Sequence, residues 1–436
     1  MSAGARPPPT RWGRWWRAAD TAGGGLVADL ILYAVSAAFA ALTAATSTLL
    51  PHRAWGSIAA IGYALAAGAV VVQLVIRRRA ASSAFVGTRT RAIVAALTWA
   101  STALLPLVIQ SAQRASGRTD RAQEEVVVVE RAGERLVEHG SPYLAEDRIA
   151  VLPPAEWLLG YLPYQPGMAL FGLPRALAGA AWWTDARVWF AVATAAALGV
   201  ALACLPRGPG LVRAAQAATV LPVCALTLAT GGDDLPVLAL CLLALALAGR
   251  GRLGAAGVAA GLAGALKLFA WPVTLVLLVH AATRGRRAFA RFAAGAVGLP
   301  LLALVPPVLV DAGAVVDNVL RFPLGEGLVS SPAQSPFPGY LIASTLPGGR
   351  AVAAGLLVAA GVAIAVGLVR HPPRTASAVA LICAYGLLAA ILLMPSTRFG
   401  YVLYPAAFAV WAFALPAGEP ADSGDGVPLA PRAAYT

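Results

Sequence analysis

The sequence has very little lysine and little charge of any kind. Lys267 is the only lysine, and every other basic side chain apart from the histidines is an arginine. Charged residues make up 12% of the 436 residues, whereas 59% are hydrophobic. A soluble globular chain carries about 25% charged residues, so this composition excludes that class. Richness in Ala, Gly, Arg and Pro indicates a GC-rich bacterial genome, which explains scarce lysine but not its position in an apolar run.

Cysteine is equally scarce, and its spacing does not favour a metal or redox site. Four cysteines lie singly within apolar segments, without CxxC spacing and without nearby histidines, and are predicted to be small buried apolar residues. No compact acidic cluster has the ligand spacing of a divalent-ion site, so neither a metal nor a cofactor is predicted. The net charge of +13 comes mostly from arginines in short loops, and no nucleic-acid partner is predicted.

Long apolar runs, several of about 20 residues, predict a multi-pass helical membrane protein. Arginines cluster in the short loops between these runs, as the positive-inside rule expects for cytoplasmic loops. This bias predicts about 12 spans in a bacterial plasma membrane, with both termini cytoplasmic. The predicted spans are 24–46, 56–76, 91–112, 187–205, 214–230, 235–249, 254–269, 271–283, 289–311, 351–370, 376–395 and 399–416. The stretch 254–283 is also compatible with one long tilted helix.

Two long polar segments, 113–160 and 312–350, are predicted to be extracytoplasmic loops. In the first, Val126, Val129, Gly133, Leu136 and Val137 recur at helical spacing. They predict an amphipathic helix over 124–138 that lies on the membrane surface. A Gly-Ser-Pro-Tyr turn at 140–143 ends it, and the Pro- and Gly-broken segment 161–174 is predicted to be re-entrant or interfacial.

Several ionisable side chains converge at the outer ends of the predicted spans. Such charges at membrane depth are costly and usually face a cavity, so they are candidates for function. The candidates are Glu124, Glu125, Glu130, Asp233, Asp234, Lys267, Arg321 and Arg398. Plainer roles remain open: the lysine can snorkel to the headgroups, Arg398 can anchor at the interface, and the acidic pairs can serve helix starts.

Carboxylates beside a lysine and arginines at a lipid–water boundary suit transfer of a sugar from a lipid-linked phosphate. A carboxylate takes the proton from the attacking hydroxyl. The cations stabilise the phosphate that leaves, lysine as a point charge and arginine as a fork.

The stretch EVVVVERAGERLVEHGSPY resembles the first-loop motif of glycosyltransferase family 87 and related GT-C membrane glycosyltransferases. YLPYQPGMALFGLP is similar to their aromatic-proline segment, and GGDDLPVLALCLLALALAGRGRLGAAGVAAGLAGALKLFAWP resembles their polar turn, Gly-Arg loop and lysine-bearing helix. RFPLGEGLVSSPAQSPFPGY and MPSTRFGYVLYP resemble later outer-face segments of the same family. The resemblance covers about 90–415.

The resemblance implies an all-α GT-C fold and an inverting, metal-independent transfer of a hexose, most often mannose. The donor would be a polyprenyl-phosphate sugar, the acceptor a glycolipid or cell-envelope glycan, and membrane lipids would surround the enzyme. Glu125 falls at the position of the family's catalytic aspartate, with Glu124 as its competitor. The resemblance further implies donor-phosphate binding by Lys267, Arg398 and Arg321, and sugar or acceptor contacts by Asp233, Asp234 and Tyr143.

Composition and the resemblance together divide the chain. Residues 1–23 are predicted to be a cytoplasmic tail, 24–90 an added two-helix hairpin, 91–416 the GT-C-like domain and 417–436 a disordered cytoplasmic tail. Two other functions remain open. Broken segments such as 161–174 suit a transporter or flippase for a lipid-linked sugar, and the glutamate in place of aspartate permits a scaffold without catalysis.

Overall fold

A computed structural model describes residues 21–80 and 82–416, and over these residues the chain is helical. The predicted C-terminal tail, and all of the predicted N-terminal tail up to residue 20, lie outside the described residues. No strand occurs within the described part beyond an isolated bridge between Gln334 and Thr397. The principal helices are α1 (Leu26–Thr46), α2 (Leu50–Arg79), α3 (Thr88–Ala115), α4 (Glu124–His139), α5 (Ala186–Ala203), α6 (Pro209–Thr219), α7 (Pro222–Thr230), α8 (Asp234–Gly249), α9 (Leu253–Leu266), α10 (Trp271–Ala282), α11 (Arg286–Val316), α12 (Pro338–Thr345), α13 (Gly349–Arg370), α14 (Ala376–Leu393) and α15 (Leu403–Ala414).

Seven helices within the described ranges are long and apolar enough to cross a membrane, or eight if the bent pair α6–α7 is one span. This confirms an all-α, multi-pass membrane protein. Helices α8, α9 and α10 and the segment Phe399–Ala414 are apolar but shorter. Helix α8, for example, has 16 residues and is about 24 Å long, less than the ~30 Å hydrocarbon thickness. The count of about 12 spans therefore stays a prediction.

The first two helices pack into the rest of the bundle through buried polar contacts. The Tyr63 hydroxyl donates to the carbonyl of Val220 at 2.7 Å, and Trp55 Nε1 donates to the carbonyl of Thr102 at 2.7 Å. Near the start of α1, the buried Asp29 carboxylate accepts from Arg91 Nε at 2.6 Å. These contacts place α1 and α2 against α3 and α6. The division of the chain at residue 90 stays a prediction.

Helix α4 has the predicted amphipathic pattern, but its apolar face is covered by the chain. Val126 and Val129 are fully buried, whereas Val137 is exposed. The helix crosses the segment 161–178 so closely that a Cβ on Gly133 would lie 2.4 Å from the carbonyl carbon of Gly172. The glycines thus permit a backbone contact that any side chain would block. The apolar face of α4 therefore rests mainly on protein, which differs from a helix lying freely on a membrane surface.

The Pro- and Gly-broken segment 161–174 inserts beside the end of α9. It forms an extended stretch followed by 3₁₀ turns at Pro166–Gly172. The Gln165 N–H donates to the carbonyl of Leu266 at 3.1 Å. A Cβ on Gly167 would lie 2.7 Å from the carbonyl oxygen of Ala265. The segment is therefore an internal support for the chain around Lys267.

Helices α8 and α9 form an antiparallel pair that determines the position of Lys267. They pack against each other and are joined by the short connection 250–252. The C-terminal end of α9 therefore returns to the level of the N-terminal end of α8. Gly257 and Gly261 let α9 approach the backbone of α11, since a Cβ on Gly261 would lie 2.1 Å from the Gly295 carbonyl oxygen. We call this end of the bundle, where α3, α7 and α9 end and α8 begins, the site end.

Candidate active site

Lys267 lies at a break between two helices. Its backbone is extended, with φ −153° and ψ 142°, so 254–283 contains two helices and not one. Its N–H still donates to the carbonyl of Ala263 at 3.1 Å and closes the last turn of α9. A cation at a helix C-terminus is favoured by the helix dipole. The extended backbone at Lys267 turns the chain away from the α9 axis.

The Lys267 ammonium contacts two neighbouring carboxylates. Nζ lies 2.7 Å from Oδ2 of Asp233 and 2.6 Å from Oδ1 of Asp234. All three side chains are less than 10% exposed, so Lys267 does not snorkel to the surface. Asp233 occupies the N-cap position of α8 but makes no side-chain capping bond, so capping does not account for its carboxylate. The cluster holds one positive and two negative formal charges.

Three tyrosines complete the surroundings of this cluster. Lys267 Nζ lies 5.0 Å from the ring centroid of Tyr164 and 5.3 Å from that of Tyr401, within the range of cation–π attraction. The Tyr404 hydroxyl donates to Oδ1 of Asp234 at 2.8 Å. These contacts fix the ammonium and the carboxylates in one arrangement.

Glu125 forms an ion pair with Arg398, which lies far along the chain. The side chains are 11% and 31% exposed, so the pair is accessible but partly screened from water. Glu124 differs from its neighbour because it is exposed and has no ion pair within the described part of the chain. The structure therefore brings together two of the predicted residues, Glu125 and Arg398, and leaves Glu124 outside that contact.

Hydrogen bonds fasten the start of α4 to the end of α7. The Gln123 N–H donates to the carbonyl of Thr230 at 2.9 Å, and Thr230 Oγ1 donates to Gln123 Oε1 at 3.0 Å. Thr230 precedes Asp233 by three residues, so Glu125 is held at the same end of the bundle as the lysine cluster. From the other direction, the Arg398 carbonyl accepts from Tyr401 N–H at 3.1 Å. The two ion clusters therefore lie at the same end of the bundle.

The second polar loop orders the chain next to Arg398. The Thr397 N–H donates to the carbonyl of Ala333, and the Ser335 N–H donates to the carbonyl of Thr397, both at 2.9 Å. The Phe399 N–H donates to Ser335 Oγ at 2.9 Å. Arg398 is thus held between two residues whose backbones are fixed by the loop.

Two other predicted residues do not contact these clusters. Arg321 is more than half exposed and pairs with Asp317 on its own helical turn at 2.9 Å. Tyr143 is buried, and its hydroxyl donates to the carbonyl of Tyr164 at 2.9 Å, so it supports the backbone of a site residue. Burial raises the pKa of the Tyr143 hydroxyl far above its usual value, which keeps it neutral.

Glu130 belongs to a buried ion network and not to the site. Its carboxylate accepts from Arg114 Nη2 at 2.6 Å, and Arg114 also contacts Asp185 at 3.0 Å. Burial alone would raise the pKa of the Asp185 carboxyl, but Arg187 and Arg114 outweigh it and lower the pKa. The network ties the middle of α4 to α3 and to the start of α5.

Sequence reasoning missed Tyr164, Tyr404 and the Gln123–Thr230 connection. A weak signal existed for the tyrosines, because Tyr164 lies in the aromatic-proline segment and Tyr404 lies on the helix that follows Arg398. Only the fold shows that Tyr164 faces Lys267 and that Tyr404 contacts Asp234. Nothing in the local pattern around Gln123 points to Thr230, since 107 positions separate them.

The described fold and site define a polytopic helical membrane protein with carboxylates and cations gathered at one end of its bundle. The family model described as glycosyltransferase family 87 matches residues 161–396, more than half of the chain. The chain belongs to this family. The matched region contains Asp233, Asp234 and Lys267. Arg398 lies just after its end, and Glu125 lies well before its start at residue 161. No curated protein matches the chain.

Two solved structures are similar to parts of the chain. A crystal structure of ArnT from Cupriavidus metallidurans bound to undecaprenyl phosphate is 20% identical, with a TM-score of 0.46, over 73% of this chain. The apo state of the same protein is 19% identical, with a TM-score of 0.41, over 67% of this chain. The matched parts span 59% and 54% of those two chains.

Proposed function

We propose that the chain transfers a hexose, mannose in the first instance, from a polyprenyl-phosphate sugar to a glycolipid or cell-envelope glycan, with inversion. The observation that carries this proposal is the Glu125–Arg398 ion pair, which lies at the same end of the bundle as the Lys267 cluster. Membership of glycosyltransferase family 87 supports the reaction class.

In this proposal Glu125 is the general base. Its carboxylate takes the proton of an acceptor hydroxyl while that oxygen bonds to C1 of the sugar. The bond from C1 to the phosphate oxygen breaks, and its electron pair leaves with the polyprenyl phosphate. A single displacement of this kind needs one base and inverts the configuration at C1. Glu124 is the weaker candidate because its side chain points to the exposed surface.

Arg398 has two successive partners in this mechanism. Without substrate it pairs with Glu125, and an arginine fork also binds phosphate oxygens in a bidentate manner. When Arg398 turns to the donor phosphate, Glu125 loses the cation that stabilises its charged form. A carboxylate without that cation is the stronger base. Donor binding thus prepares the base before proton transfer.

Lys267 supplies a fixed positive charge for the same phosphate. An ammonium has three N–H donors, and within the described residues two of them are bound by Asp233 and Asp234. The third is left for a phosphate oxygen of the donor. Asp233 and Asp234 position the ammonium, and their remaining oxygens are proposed sugar or acceptor contacts. Tyr143 acts as a positioning residue through the backbone of Tyr164.

Arg321 has the least support from the geometry, since it pairs with Asp317 in the second loop. We keep it as a proposed ligand of the donor phosphate and expect its loss to have the smallest effect.

The opposite end of the bundle carries arginines in the connections 203–209, 250–252, 282–286 and 370–376. By the positive-inside rule this supports a cytoplasmic position for that end and an extracytoplasmic site.

A donor panel tests the proposal. Membranes that contain the protein are supplied with radiolabelled polyprenyl-phosphate-mannose, the glucose and galactose equivalents, and native envelope lipids. We expect label to move from the mannose donor to a new lipid or glycan. Transfer from a different donor would correct the sugar. No transfer from any donor, with movement of the donor across the bilayer, would favour a flippase.

A further inference from the structure

An open groove of about 340 Å³ lies at the site end, outside the region matched by the family model. One wall is the start of α2, and the other is the segment that follows α3. Three arginines line it, together with one acidic residue: Arg53, Arg118, Arg121 and Asp120. The proposed sugar transfer uses none of these residues.

Hydrogen bonds orient two of the three guanidiniums. Arg118 donates through Nε and Nη2 to both carboxylate oxygens of Asp120 at 2.9 and 3.0 Å. Arg121 donates from Nη1 to Asp120 Oδ2 at 2.5 Å and from Nε to Gln113 Oε1 at 2.7 Å. Arg53 is exposed and has no ion pair within the described part of the chain. Three positive charges against one negative charge leave the groove with a formal charge of +2.

The groove lies where apolar helices end. It opens beside the connection between α1 and α2, where Leu49 and Leu50 are each 48% exposed. In a membrane, exposed leucines at a helix end enter the apolar layer, and the neighbouring arginines reach the phosphate level. The same segment continues from Arg121 into α4, so the groove adjoins the part of the chain that carries Glu125.

We propose that this groove binds the phosphate group of an anionic lipid headgroup. Arginine is suited to this ligand because its planar fork matches two phosphate oxygens. Asp120 holds two of the forks in place, which reduces the side-chain entropy lost on binding. A lipid bound here would contact both α2 and the segment before α4, and so would stabilise the start of the helix that carries Glu125. The proposal does not depend on the identity of the transferred sugar.

Native mass spectrometry of the detergent-purified protein tests the site. The probes are phosphatidylglycerol, phosphatidylcholine with the same acyl chains, and inorganic phosphate. We expect phosphatidylglycerol to bind more tightly than phosphatidylcholine, and its affinity to fall about tenfold or more in Arg53→Gln and in Arg121→Gln. Arg53→Lys should keep part of the binding because it keeps the charge.

Arg148→Gln is the matched control, since this exposed arginine lies in the same polar loop but does not line the groove. Displacement of the lipid by inorganic phosphate alone would identify the groove as a site for free phosphate. Equal binding of the two lipids, or unchanged phosphatidylglycerol binding in Arg53→Gln, would overturn the proposal. Arg53→Gln is the decisive variant because Arg53 forms no ion pair within residues 21–80 and 82–416.

Discussion

At the residue scale, the only lysine is explained by its partners. Burial of the Lys267 ammonium near the end of α9 costs solvation free energy, and the two carboxylates and two tyrosine rings around it offset that cost. Removal of one member leaves uncompensated charge in a poorly solvated place, which costs more than the pair itself contributes. The position of Lys267 inside an apolar run therefore predicts a functional role from the sequence alone. Its pairing with Asp233 and Asp234 depends on the antiparallel packing of α8 and α9, which the sequence pattern does not show.

Lys267→Met should destabilise the protein by about 3–5 kcal/mol and abolish transfer, because two buried carboxylates lose their cation. Tyr404→Phe should cost less, about 1.5–3 kcal/mol, since it removes one hydrogen bond to the Asp234 carboxylate and leaves the ion pair in place. Thermal unfolding in detergent measures both, with exposed Asp147→Asn as the control. Equal melting temperatures for the wild type and Lys267→Met would contradict the buried cluster.

The ionised Asp185 carboxylate makes the stability of the fold depend on pH. Its pKa is lowered in the folded protein, since Arg187 and Arg114 outweigh burial, so its ionised form stabilises the fold above its unfolded pKa of about 3.9. That contribution is lost as the pH falls through the lowered folded-state pKa. The difference in melting temperature between the wild type and Asp185→Asn should therefore be largest near neutral pH and shrink towards pH 3. A constant difference would show that the carboxylate charge is not responsible.

At the element scale, α4 connects the fold to the site. Its helical pattern and its end at Gly140 follow from sequence, since Gly140 has a φ of +72° that favours glycine. The segment that packs against α4 does not follow from sequence. The periodicity of the valines predicts an apolar face but does not show whether lipid or protein covers it. The 161–178 segment covers it, and the two crossing glycines are recognisable only once that contact is known.

Gly133→Ala tests the α4 crossing. The added Cβ would meet the backbone of Gly172, which cannot move aside as a side chain could. We expect a loss of about 1–3 kcal/mol in stability and a decrease in transfer, because α4 carries Glu125. Gly199→Ala is the matched control, since its Cβ would meet nothing within 4 Å. The control should be neutral or slightly stabilising. Equal behaviour of the two variants would show that the close crossing is absent.

At the scale of the whole molecule, the predicted arrangement of charge has a clear test. Asp147 is exposed in the polar loop at the site end, and Arg287 is exposed at the opposite end. In a background without native cysteines, Asp147→Cys should react with an impermeant maleimide on intact cells. Arg287→Cys should react only after permeabilisation. The reverse pattern would place the site on the cytoplasmic side and contradict the positive-inside argument.

Hydropathy shows that the chain spans the membrane several times, and motif order leads to the family. Hydropathy does not fix the number of spans, because α8, α9 and α10 are apolar but shorter than a usual crossing. Nor does it pair Glu125 with Arg398, which meet only after the intervening helices have folded. Local pattern thus predicts which residues are unusual, and packing decides which of them touch.

The central claim is that Glu125, paired with Arg398, is the base of a sugar transfer. The most direct measurement compares initial transfer rates from polyprenyl-phosphate-mannose, or from the donor that the panel selects, for Glu125→Gln and Glu124→Gln at equal expression. We predict a loss of about 10²–10⁴-fold for Glu125→Gln and less than a few-fold change for Glu124→Gln. Full activity in Glu125→Gln would contradict the account, and loss in Glu124→Gln alone would move the base to its neighbour.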